Sequence, residues 1–169
     1  MQFYSFNYLV PTAKKLIPKW AKNWEHPEQI TDFRQAFAEF SGKEREKRIY
    51  ATGEIGRRLK LAFEEDDEYR RDWLLFDARR INAIYSSPLG PEIASRPDVI
   101  VMAQGHPLDR LLCVVQTRLA KSMAVCHRKE CEKKYYFREP GRHGQKYCGA
   151  RCAEIVVREG KLRWYHASR

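Results

Sequence analysis

Four cysteines carry the most concentrated chemistry in this chain. They form two short-spaced pairs, Cys126-His-Arg-Lys-Glu-Cys131 and Cys148-Gly-Ala-Arg-Cys152, on either side of a segment rich in aromatic residues and glycine. Thiolates are soft ligands, and tetrahedral Zn²⁺ needs four that converge on one point. Each pair can bite the metal locally, provided the segment between folds back. Four thiolates also close the coordination shell and leave no position for water. The expected cofactor is therefore one structural Zn²⁺ held by Cys126, Cys131, Cys148 and Cys152. The polar neighbours His127, Arg128, Lys129 and Arg151 are unlike the surroundings of inert core thiols. A disulfide reading needs an oxidising compartment. Met1 to Val10 shows no basic start, long apolar run or small-residue cleavage site, so a reducing cytoplasm is the expectation. His127 and His143 are further potential ligands, but the cysteines already complete the set. Cys113 stands apart, in a helical apolar pattern, as a core or boundary thiol.

Secondary structure has to position these ligands. Tyr135 to Phe137 and Gln145 to Tyr147 are β-prone, and Glu139 to Gly144 between them is turn chemistry, which predicts a hairpin. Cys148 and Cys152 are four residues apart, the spacing of one helix face. Knuckle, hairpin and helix in that order describe a treble clef.

Residues 107–165 resemble the C-terminal part of the CGNR-type bacterial zinc-finger proteins. The residues that carry the likeness are the amphipathic run Leu108 to Met123, Cys126-x4-Cys131, Tyr136-Phe137, the basic turn Arg138 to Lys146, Tyr147-Cys148, and the basic run Arg151 to Arg163. The second pair is Cys-x3-Cys, and Ala153-Glu154-Ile155 follows Cys152 where the family has Gly-Asn-Arg, so the likeness is to the broader finger type. It implies an α-rich N-terminal domain, a treble-clef-like finger and a DNA-binding regulator. Residues 1–106 carry no such likeness.

Charge points the same way. The formal net charge is +10 over 169 residues, and residues 123–169 hold 12 Lys and Arg against 5 Asp and Glu. A basic excess gathered on the finger favours an anionic partner, with DNA the expectation. The helix from Cys148 would offer Arg151, Arg158, Lys161 and Arg163. The turn would offer Arg138, Arg142 and Lys146, with His143 beside them. Such residues mostly contact phosphates, and arginine also reads guanine. The competing readings are a basic surface that merely solubilises, or a non-enzymatic structural or protein-docking finger with Trp164 and Tyr165 at an interface. A treble-clef nuclease is a third. His127, His143 and His166 are available to it, but no Asn lies between well-placed histidines and no paired acid is present. No enzyme activity is expected. An N-terminal domain that senses a ligand or forms a homodimer would complete a regulator.

The fold class expected is mainly α with a small β-sheet. Residues 1–122 form the α-rich domain, with short strands near 3–9 and 98–102 pairing together, and residues 123–169 form the finger. Lys14 to Trp24 is either a nucleic-acid arm or, as expected, a helix fixed to the core by its tryptophans. Phe33, Phe37 and Phe40 share a helix face after Pro27. Ser41 to Glu44 fits a capping box, Glu44 can pair with Arg48, and Gly53 and Gly56 weigh against one unbroken helix. The acidic run Glu64 to Glu68 suits a helix start better than a cation site. Tyr69, Trp73, Phe76, Ile81 and Ile84 then predict a buried side, flanked by a solvated face of Arg70, Arg71, Arg79 and Arg80. Ser86 to Pro91 and Pro97 mark loops, and Leu108, Leu111, Leu112, Val115 and Leu119 a further helix. No run approaches the roughly 20 apolar residues of a membrane span.

Overall fold

The computed structural model describes residues 6–86 and 107–168, and it is mainly helical with one two-stranded sheet. Phe6–Leu9 is a 3-10 turn leading into α1 (Val10–Lys22). The strand expected near 3–9 is thus replaced by helix over its described part. Alternation over four residues fits either state, and Pro11 in the first turn of α1 favours the helix. The other expected strand, 98–102, lies outside the described residues.

A short turn at Pro27–Gln29 leads to α2 (Thr31–Ala38), which buries Phe33 and Phe37. The next helix, α3 (Gly42–Glu64), starts after Ser41 as expected, but without a side-chain cap bond. Glu44 and Arg48 pair at 3.0 Å. The helix α3 runs unbroken through Gly53 and Gly56, whose role is close approach. A Cβ on Gly56 would lie 2.8 Å from Trp20 Cδ1, and one on Gly53 would lie 2.9 Å from the Trp24 carbonyl oxygen. The bare backbone lets α1 press Trp20 into α3, where its Nε1 donates to the Thr52 carbonyl at 2.8 Å. Trp20 is fully buried, as the anchoring reading expected.

The acidic run breaks the chain between α3 and α4 (Glu68–Ser86). The buried stripe of α4 is Leu75, Ala78 and Ala83, together with the polar Asn82. Tyr69 and Trp73 are exposed, and they stack edge-on along the outer face with Phe76. Helices α3 and α4 pack against each other along their length, and the large aromatics of α4 lie on its outer side. The arginines divide as well. Arg70 and Arg80 are exposed, but Arg79 holds nearly buried Asp109 through two bonds of 3.1 and 3.2 Å. Arg71 donates to the carbonyls of Ala62, Glu65 and Ala120, closing the end of α3 and tying it to the chain that enters the finger. Burial and the nearby Arg138 charge lower the pKa of Arg71.

After Pro107, α5 (Pro107–Val114) widens into a π turn over Val115–Leu119 and closes through a 3-10 turn, Ala120–Ser122. Two strands follow, β1 (Met123–Val125) and β2 (Tyr135–Phe137), antiparallel in the register Met123↔Phe137, Ala124↔Tyr136, Val125↔Tyr135. The expected hairpin of 135–137 with 145–147 does not form. The partner of β2 is β1, the strand before the first cysteine, and the knuckle itself joins the two. Residues 145–147 stay irregular because other groups take their polar atoms. Tyr136 Oη donates to the Gln145 carbonyl at 2.7 Å, and Gln145 Nε2 donates to the Tyr147 carbonyl at 2.9 Å. The last element is α6 (Ala150–Ala167).

Side chains alternate across a strand, and here the alternation divides two environments. Met123, Val125, Tyr135 and Phe137 face the helical core, while Ala124 and Tyr136 pack with the cysteines. Phe63 of α3 lies 5.3 Å from the rings of both Tyr135 and Phe137. Tyr135 Oη donates to the Glu64 carboxylate at 2.7 Å, and Lys22 Nζ to the Glu132 carbonyl at 2.8 Å. Among the described residues, no helix is long and apolar enough to cross a membrane.

Candidate metal centre

The knuckle and the start of α6 bring the four cysteines together. β1 delivers Cys126, whose backbone N–H donates to the Lys134 carbonyl at 2.7 Å and closes the knuckle ring. Cys131 stands at the end of the loop. His127 N–H donates to the Lys146 carbonyl at 3.0 Å and draws the returning chain alongside. Cys148 then precedes α6, and Cys152 lies within its first turn, as the four-residue spacing requires. All four sulfur atoms lie within 4.8 Å of one another. Cys131 Sγ is 3.5 Å from Cys148 Sγ and 3.6 Å from Cys152 Sγ, and Cys148 to Cys152 is 3.6 Å. Zinc–sulfur bonds of about 2.3 Å in a tetrahedron set sulfur separations of about 3.8 Å. A bonded disulfide would need about 2.05 Å, so these are four free thiols clustered at metal-binding dimensions. They can hold a metal ion.

Electrostatics also suit a metal. Burial and the neighbouring sulfurs push the Cys148 thiol well above its ordinary range, and burial likewise raises Cys131. Burial opposes ionisation of Cys152 too, but the Arg128 guanidinium, 3.9 Å from its sulfur, and the adjoining thiols outweigh it and lower that pKa. A cation at the centre would supply what the crowded thiols lack, a positive charge that stabilises all four as thiolates. Cys126, Cys131 and Cys152 are buried, and Cys148 is half-buried. Cys113 lies apart from the cluster, half-buried on α5.

The basic residues singled out in the sequence are not gathered on one surface. Arg151 and Arg158 are exposed and one heptad apart, hence on the same side of α6; Lys161 lies near them, whereas Arg163 points to the opposite side. Arg142 is exposed and paired with Glu139 at 3.0 Å. Lys146 is exposed, with its carbonyl engaged by His127. Arg138 is drawn inward: its N–H donates to the Ser122 carbonyl at 2.7 Å, and its buried Nε has no partner among the described residues. Two features escaped the sequence reading. One is Arg128 beside the Cys152 sulfur. The other is that the lysines of α1, a stretch weighed as a nucleic-acid arm, line one groove together with those of the knuckle.

The chain matches no family model, and no curated protein or solved structure matches it. What defines it is a helical body carrying a C-terminal four-cysteine centre.

Proposed function

We propose that the four cysteines hold one structural zinc ion and that the protein binds nucleic acid, DNA above all, as a non-enzymatic cytoplasmic regulator. A four-thiolate set selects zinc or iron–sulfur chemistry. The single converging cluster, with buried sulfurs and no open ligand position, supports structural zinc. Knuckle, strand and helix follow one another in treble-clef order, in keeping with the likeness to CGNR-type fingers, although the second strand of a clef hairpin is missing among the described residues.

The observation that carries the nucleic-acid reading is α6 itself. It is anchored at its first turn on the sulfur cluster, buries only Cys152, and presents Arg151 and Arg158 on one exposed side. Binding of the zinc-loaded protein to a mixed-sequence duplex across a salt series tests it. Affinity should fall steeply with salt, because displaced counterions drive phosphate binding, and should drop in an Arg142→Ala, Arg151→Ala, Arg158→Ala variant. Absence of binding at low salt sinks the reading for duplex DNA. The exposed Val157, Leu162, Trp164 and Tyr165 favour a second reading, a protein-docking helix. Loss of a protein partner on Trp164→Ala, with DNA binding intact, would identify that role.

A further inference from the structure

We propose that the groove between α1 and the knuckle seats the backbone of single-stranded nucleic acid. The proposal rests on the nucleic-acid reading above and moves the principal contact away from α6. The groove has a volume of about 500 Å³. Lys14, Lys15, Lys19 and Lys22 of α1 form one wall, Lys133 and Lys134 of the knuckle the other, and among the described residues Glu132 is the one carboxylate that lines it.

These lysines differ from many cations on the later helices. Arg48, Arg57, Arg58, Lys60 and Arg80 each have a carboxylate three or four residues away on their own helix. Helix α1 contains no acidic residue from end to end. Lys22 donates to the Glu132 carbonyl at 2.8 Å and so ties the two walls together, while Lys134 donates to the Cys126 carbonyl at 3.2 Å within the knuckle. Lys14, Lys15, Lys19 and Lys133 have no ion-pair partner among the described residues. Like charges held together repel, and a polyanion laid between them relieves the repulsion while releasing its own counterions.

Groove dimensions select the occupant. From Lys14 to Lys22, α1 rises about 12 Å, enough for several consecutive phosphates and more than one small anion uses. A cleft of about 500 Å³ is too small to enclose a double helix, whereas a single strand can lie in it. Half-buried Pro18 and Phe137 give the cleft an apolar floor beside the charges, the combination that suits a strand of sugar, base and phosphate. The half-buried metal ligand Cys148 lines the same cleft. A bound strand therefore lies against the one cysteine of the four that is only half-buried.

The test uses the full-length zinc-loaded chain and a fluorescent oligo-deoxythymidine strand, read by anisotropy across a salt series. The groove variant is Lys15→Glu, Lys19→Glu, on side chains that are exposed and unpaired. The control variant, Lys43→Glu, Lys47→Glu, makes the same charge change on the exposed start of α3. The groove variant should weaken strand binding at least about tenfold and flatten the salt slope by about 0.7 per lost phosphate contact, with an unchanged melting temperature. The control and an Arg151→Ala, Arg158→Ala variant should stay within about twofold of the parent. Bound strand should also slow alkylation of Cys148 in the parent but not in the groove variant. Equal losses in groove and control variants, tighter binding of a duplex than of the strand, or equal competition by polyglutamate would each overturn the groove proposal. If the α6 variant loses binding and the groove variant does not, the nucleic-acid reading stands and the groove falls. If no nucleic acid binds at low salt, both fall.

Discussion

The helical body and the cysteine finger share one two-stranded sheet, yet they are held together by different forces. On the body side, Trp20, Ile17, Leu59, Leu75 and Leu112 are fully buried among interlocking helices, and burial of apolar area supplies the stability. On the other side, the buried set shrinks to Ala124, Tyr136 and three of the cysteines, with Tyr147 and Cys148 at the edge. So small a cluster cannot offset the chain entropy of the finger. The same sheet therefore sits at the margin of a hydrophobic core and at the margin of a four-cysteine cluster, and each half depends on it differently.

The largest break in that comparison should come from the metal. Structural zinc contributes about 10–16 kcal/mol in small finger domains. Cys148→Ser should release the ion and melt residues 126–167, while α1, α3 and α4 keep their protection. Metal analysis with amide hydrogen exchange checks both halves; full zinc occupancy in the variant would refute the ligand assignment. Phe63→Ala comes next, because it strips the ring packed on Tyr135 and Phe137. Denaturant unfolding should show a loss of about 3–5 kcal/mol, with the body affected and zinc retained. Gly56→Ala sharpens the body side: its methyl would meet the Trp20 ring, and overpacking of about 1–3 kcal/mol should exceed the helix-propensity gain of about 1 kcal/mol. A rise in melting temperature would contradict the close approach. The smallest effect should be pH-dependent. Burial disfavours the charged Asp77, but hydrogen bonds and charge from Arg58 and Arg80 outweigh it and hold its pKa below the ordinary carboxylate value. A carboxylate depressed on folding adds stability that is present above its unfolded pKa and lost as pH falls through the folded value. Asp77→Asn should therefore flatten the acid limb of a stability–pH curve below about pH 4 and leave zinc binding unchanged.

Local chemistry made the four-cysteine cluster legible. Two short cysteine spacings, polar neighbours and turn residues are all properties of a few adjacent positions, and the four sulfurs do converge. The sheet was harder to read because β1 has only three residues, too few for a period, and its partner is chosen across the knuckle. Phe6 to Leu9 misled for a related reason, since alternating aromatics over so short a run do not distinguish a strand from a helical turn. The outward turn of Tyr69 and Trp73 follows from α4 burying Leu75, Ala78 and Ala83 instead, a tertiary preference that outweighs the size of the aromatic rings. Gly53 and Gly56 looked like helix breakers because the sequence does not display Trp20 and Trp24 lying across them. The lysines of α1 and of the knuckle, more than a hundred positions apart, become neighbours only through the fold.

The three-residue strands also set what changes of length this chain can absorb. Deleting Val125 would exchange the two faces, sending the small Ala124 into the helical core and the bulky Met123 toward the sulfurs. The exposed turn around Gly141, which adopts a φ of 78°, carries no such constraint. Insertions and deletions in the finger should therefore accumulate at residues 139–144, while the spacing from Met123 to Phe137 stays fixed.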